Sequence, residues 1–156
     1  MATRRGFDPS VDPSDAIDEA PGGAQRSGGC FADGCTMPGT ISVGGKTWCC
    51  AWHHGVLPTD IPRVTQVLRD WECLTYEINI GRRVLTGPHA CDPKAQNKAF
   101  AEAVRRVGDA TGEGGWGDRF EHREGQDYRA WLLGLERFLG GRVLIALGYA
   151  NAEAVA

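Results

Sequence analysis

Between Cys30 and His54 the chain places four of its six cysteines and two of its four histidines, in the run CFADGCTMPGTISVGGKTWCCAWHH. Thiolate and imidazole are the ligands zinc prefers, and four of them closed within one short stretch normally hold a structural ion rather than a catalytic one. The feature therefore points to a binding module before it points to an enzyme.

The most economical ligand set is Cys30, Cys35, Cys50 and His53, spaced C-x4-C-x14-C-x2-H. Gly34 lets the backbone fold between the first two cysteines, because glycine tolerates conformations closed to other residues. Between the two pairs, Thr40-Ile41-Ser42-Val43 and Lys46-Thr47-Trp48 flank Gly44-Gly45, a sequence suited to a tight two-residue hairpin turn. That turn would pair Val43 with Lys46, Ser42 with Thr47 and Ile41 with Trp48, so that Ile41, Val43 and Trp48 share a face. A hairpin this short needs a metal or a packed helix to hold it, and it brings the two ligand pairs together. This is the logic of a zinc ribbon or treble clef. Cys49 and His54 remain rivals, since Cys49-x3-His53 and Cys50-x3-His54 are also ligand spacings. Cys50 is favoured because Cys49, beside Trp48 at the strand exit, suits an ordinary packing position. Adjacent cysteines make a poor redox pair, and no carboxylate cluster suits magnesium or calcium.

The string Gly34-Cys35-Thr36-Met37-Pro38-Gly39-Thr40-Ile41-Ser42, followed by glycines and Trp48-Cys49-Cys50-Ala51-Trp52-His53, resembles a zinc-ribbon pattern of small bacteriophage and prophage proteins. The chain departs from that pattern by carrying cysteine at 49, where an aromatic residue is more usual. The resemblance covers the metal segment alone. It implies a zinc module and, by its setting, a partner in host or viral nucleic-acid or defence machinery.

The opening MATRRGFDPSVDPSD has no apolar region behind its two arginines, and no run of about 18 apolar residues occurs anywhere. A soluble, cytoplasmic protein is expected, and in that compartment clustered thiols stay reduced and favour a metal over disulfides. Residues 1–29 hold three prolines, five glycines and five acids with few apolar residues, which predicts a disordered tail.

After Pro58, Thr59-Asp60 can cap a long amphipathic helix bearing Ile61, Val64, Val67, Leu68, Trp71, Leu74 and Ile78 and running to about Leu85. A second helix is expected from Asp92-Pro93 through Ala99, Phe100, Ala103, Val104 and Val107 to Gly108. Residues 109–126 read as a glycine-rich loop in which Trp116 and Phe120 either pin the loop to the core or offer a contact surface. Tyr128, Trp131, Leu132, Leu135, Phe138 and Leu139 trace a third helix, broken or bent at Gly140-Gly141 and followed by a short last one. The fold expected is mainly α. A disordered tail (1–29) precedes a zinc-ribbon or treble-clef-like β-hairpin knuckle (30–57), and a bundle of three to four helices follows (58–156).

The net charge is −3 and the isoelectric point about 5.8, which gives no global support for binding a polyanion. If one face gathered Lys46, Arg82, Arg83, Lys94, Lys98, Arg105 and Arg106 it could still track a phosphate backbone. His89 and Cys91 in GPHACDP raise a cysteine-nucleophile reading, but no orienting third group lies nearby. The favoured function is a non-enzymatic zinc-binding accessory protein with a protein partner. Direct DNA or RNA binding is the alternative; neither a membrane nor a small-molecule substrate is inferred.

Overall fold

The computed structural model describes residues 29–45, 47–88, 90–112 and 117–151. The tail expected over 1–29, apart from Gly29 itself, lies outside the described residues, as do Lys46, His89 and Trp116. Strands β1 (Ile41–Val43) and β2 (Thr47–Cys49) form an antiparallel hairpin, followed by helices α1 (Ile61–Asp70), α2 (Glu72–Thr86), α3 (Pro93–Thr111) and α4 (Tyr128–Ala146). A mainly α bundle with a small hairpin near its start is thus the architecture of the described residues.

The hairpin register differs from the expected one. Ile41 faces Cys49, Ser42 faces Trp48 and Val43 faces Thr47, leaving three residues rather than two between the strands. Gly44 and Gly45 turn the chain at φ 69° and 87°, where a side chain would be strained. A one-residue slip exchanges the faces of a strand. Cys49, which is fully buried, therefore joins the face of Ile41, while Trp48 crosses to the other. The preceding segment lies beside β2: Gly29 bridges Pro38, and the Phe31 N–H donates to the Trp48 carbonyl at 2.8 Å. Cys30 is drawn alongside the strand exit in this way.

The single helix expected from residue 60 to 85 is two helices, broken at Trp71, whose backbone sits at φ −115°, ψ 38°. The cause is tertiary. Val64 and Leu68 on α1 pack with Met37, Cys50 and Val143, whereas Leu74 and Ile78 on α2 pack with Ala103, Val107, Trp131, Leu132, Leu135 and Leu139. One straight stripe cannot face both groups. At the break the Trp71 ring stands edge-on to Phe138 (4.8 Å between centroids) and Phe120 (6.5 Å). Asp60 occupies the cap position of α1 but its side chain caps no N–H; it pairs with Arg63 instead.

Helix α3 starts as expected, with the Asp92 carboxylate accepting from the N–H groups of Lys94 and Ala95 at 3.0 and 3.2 Å. It runs one turn past Gly108, closed by the Thr111 hydroxyl donating to the Val107 carbonyl. Phe120 is buried in a short 3-10 turn, Gly117–Phe120, and its carbonyl accepts the Trp131 indole N–H at 2.8 Å. Helix α4 does not break at Gly140-Gly141. A Cβ at Gly140 would lie 3.4 Å from the Trp52 ring, in ordinary contact, so the knuckle packs on this face of the helix. Trp52 packs against both apolar groups and joins them. No helix among the described residues is long and apolar enough to cross a membrane.

Candidate metal centre

Two tight turns deliver the donors. Cys30 and Cys35 flank a turn closed by the Cys35 N–H on the Ala32 carbonyl at 3.0 Å, with Gly34 at φ 73°. Cys50 and His53 flank another, leaving β2, in which the N–H groups of His53 and His54 both donate to the Cys50 carbonyl at 3.1 Å. The hairpin sets these turns side by side. The three sulfurs and one ring nitrogen all lie within 4.8 Å of one another.

Three of the six separations lie close to those of a tetrahedral ion. Zinc bonds of about 2.3 Å to sulfur and about 2.0 Å to nitrogen imply edges of about 3.8 Å between sulfurs and about 3.5 Å between sulfur and nitrogen. Cys35 Sγ lies 3.9 Å from Cys50 Sγ, and His53 Nδ1 lies 3.4 Å from Cys30 Sγ and 3.2 Å from Cys50 Sγ. All four cysteines of the segment are free thiols. This Cys3His group could therefore hold a metal ion, and its donor chemistry suits zinc. As thiols the donors compete for protons. A hydrogen bond from Cys50 lowers Cys35, against burial, whereas that same bond together with burial pushes Cys50 up to about 12. A divalent cation would resolve this competition by displacing the protons.

Of the rivals, Cys49 is buried on β2 outside the cluster, its thiol raised by burial, and His54 is exposed. One residue of the site was not legible from spacing. His53 Nε2 lies 3.0 Å from Thr65 Oγ1, on α1, and both residues are buried. With Nδ1 on a metal, Nε2 would carry the proton and donate it to the hydroxyl, which would fix the tautomer and aim the ring. Thr65 follows Val64 on the buried side of α1, a polar position beside an apolar stripe and the only sequence hint of its role. Near the other turn, a Cβ on Gly34 would meet Arg69 Nη1 at 3.2 Å, so a guanidinium lies beside the Cys35 turn. Three thiolates outweigh a divalent cation by one charge, and Arg69 stands where it offsets the excess.

Thr65→Val keeps the shape and removes the acceptor. We expect metal affinity to fall about 10- to 100-fold while helicity is retained. Competition against a chromogenic chelator measures it, and an unchanged affinity would rule out the aiming role.

The basic residues do not assemble into one unpaired set. Arg82 bonds Glu136 at 2.8 Å, Arg105 bonds Asp109 at 2.8 Å, and Arg106 binds the buried Glu77 with both Nε and Nη2. Arg83, Lys94 and Lys98 are exposed, and Lys46 lies outside the described residues. Cys91 is exposed and its neighbour His89 is not described; the His122 ring donates through Nε2 to the Gln126 carbonyl at 2.9 Å. Comparison with known proteins finds no matching family, no matching curated protein and no matching solved structure.

Proposed function

We infer that the chain is a non-enzymatic zinc-binding accessory protein. Cys30, Cys35, Cys50 and His53 hold one structural zinc ion, and the knuckle they close presents a surface to a protein partner. The observation that carries this reading is the convergence of four donors within 4.8 Å of one another, with Thr65 behind the histidine. Four protein donors leave no position for substrate, so the ion organises the chain rather than activating water. A protein partner is supported by apolar side chains exposed on and just after the knuckle, Phe31, Val43 and Leu57. Nucleic acid is the weaker reading, because carboxylates already engage Arg82, Arg105 and Arg106. The resemblance to phage zinc-ribbon proteins supports a partner in host or viral nucleic-acid or defence machinery.

The test is affinity capture of the tagged full chain from a lysate of its source, with and without nuclease, with metal analysis of the same sample. About one zinc per chain is expected, with a protein partner that survives nuclease and is lost when Phe31 and Val43 are both changed to serine. A partner lost on nuclease treatment would favour nucleic acid. So would affinity that falls steeply with salt and drops in Arg82→Ala or Arg105→Ala.

A further inference from the structure

A second site lies away from the knuckle, on the outer side of α4. The turn at residues 119–126 and the helix enclose a cleft of about 480 Å³, a volume within the range of small-ligand pockets. Its walls carry Arg119, Arg123 and Arg137 against one carboxylate, Glu121. The clefts at Glu72–Arg106 and at Leu85–Arg129 each carry a single arginine.

The cleft exists because α4 withdraws its side chains there. Ala130, Gly134 and Arg137 follow one another at helical spacing on one face and all line it. A Cβ placed on Gly134 would meet nothing within 4 Å, so the space beside it is open. One of the three guanidinium groups is positioned by a ring, and a second arginine has its backbone fixed in a turn. The Arg119 guanidinium lies 5.2 Å from the centroid of the Phe138 ring. Arg123 stands in a closed turn, its N–H donating to Gln126 Oε1 at 3.2 Å while the Gln126 N–H returns to the Arg123 carbonyl at 3.0 Å. Arg137 projects from the rigid helix.

We propose that this cleft binds a phosphoryl group carried by a small molecule. Guanidinium forks match the oxygens of phosphate in pairs. Three guanidinium groups and one carboxylate line the cleft, and a terminal phosphoryl group carries about −1.5 to −2 at neutral pH. The aromatic floor, Phe120, Trp131 and Phe138, is buried beneath the cleft and offers no exposed ring for bases to stack on. That disfavours a single-stranded nucleic acid, whose binding normally uses such platforms. The phosphoryl group reaches the cleft either as free phosphate or on a small phosphomonoester.

Calorimetric titration of the full chain at low salt with inorganic phosphate and, separately, with ribose 5-phosphate tests this. Saturable binding of at least one is expected, weakened at least about tenfold both in Arg137→Ala and in Gly134→Leu. Gly134→Leu fills the cleft while improving helix propensity, so its loss of binding does not report unfolding. Circular dichroism and metal content should match the parent in both variants. Tighter binding of ribose 5-phosphate assigns the site to a phosphomonoester, and equal or tighter binding of phosphate assigns it to the free anion. The proposal is overturned by the absence of saturable binding of either probe at millimolar concentration, or by binding that both variants leave intact. Binding of a 5′-phosphorylated oligonucleotide alone would overturn it too.

Discussion

Cys35→Ser will strip the chain of its metal and unfold at least residues 30–54. A structural zinc supplies on the order of 10 kcal/mol or more to the segment that binds it, comparable with the roughly 5–15 kcal/mol that holds a whole domain together. The damage will spread beyond the knuckle, because Met37 and Cys50 complete the apolar group built from Val64, Leu68 and Val143. Metal analysis and thermal melting, read together, check this. A variant with the parent's metal content and melting point would sink the assignment of Cys35. Cys49→Ser and His54→Ala are the informative companions, since both residues lie outside the donor cluster. Each should keep its metal. Cys49→Ser should pay only the cost of a hydroxyl in a buried position, about 1–3 kcal/mol, and His54→Ala should change little.

The second large effect is expected far from any thiol. Glu77 on α2 is almost wholly buried, its side chain 2 % exposed, and its carboxylate is met by the Arg106 guanidinium from α3 in a two-point contact. Glu102 shares the guanidinium at 3.7 Å. Removing the arginine leaves a carboxylate in the interior with no partner, a loss of about 3–5 kcal/mol when both partners are buried. The Arg106 side chain is 36 % exposed, so water can reach toward the vacated site and the lower end, about 3 kcal/mol, is expected. Arg106→Ala should lower the melting temperature by on the order of 10 °C. The double variant Glu77→Leu, Arg106→Met should recover most of that loss, since an apolar pair of similar size has no charge to strand. If Arg106→Ala costs less than about 1 kcal/mol, the pair behaves like an ordinary surface bridge.

How far these features could be read in advance depended on the distance between the residues concerned. Cys30, Cys35, Cys50 and His53 are close in the chain, and their chemistry is unusual enough to single out the cluster. Asp92-Pro93 carries its own helix start for the same reason, a cap and a first-turn proline in adjacent positions. The break at Trp71 had no such mark, because the spacing of three and four continues across it. Only the presence of two apolar groups in three dimensions requires the turn. The hairpin register depended on which of Trp48 and Cys49 would be buried, a choice made by packing and not by Gly44-Gly45. Gly140-Gly141 looked like an interruption because glycine weakens an isolated helix, whereas here the helix is held by packing on both apolar groups, with Trp52 beside Gly140. Arg106 was legible as a charge but not as Glu77's partner, since the two come from different helices. Thr65 was hidden in the same way.

Trp52 also sets how the chain can be divided. Its ring lies against Gly140 and contacts both apolar groups, so a cut near Pro58 would not release two finished pieces. The excised helices would bare Val64, Leu68 and Val143 to water, and the excised knuckle would bare Met37. The metal segment is therefore not a portable cassette to be grafted onto another scaffold. A recipient helix would need a small residue facing the indole and a threonine placed beside the histidine, so knuckle and helices would have to be transplanted together.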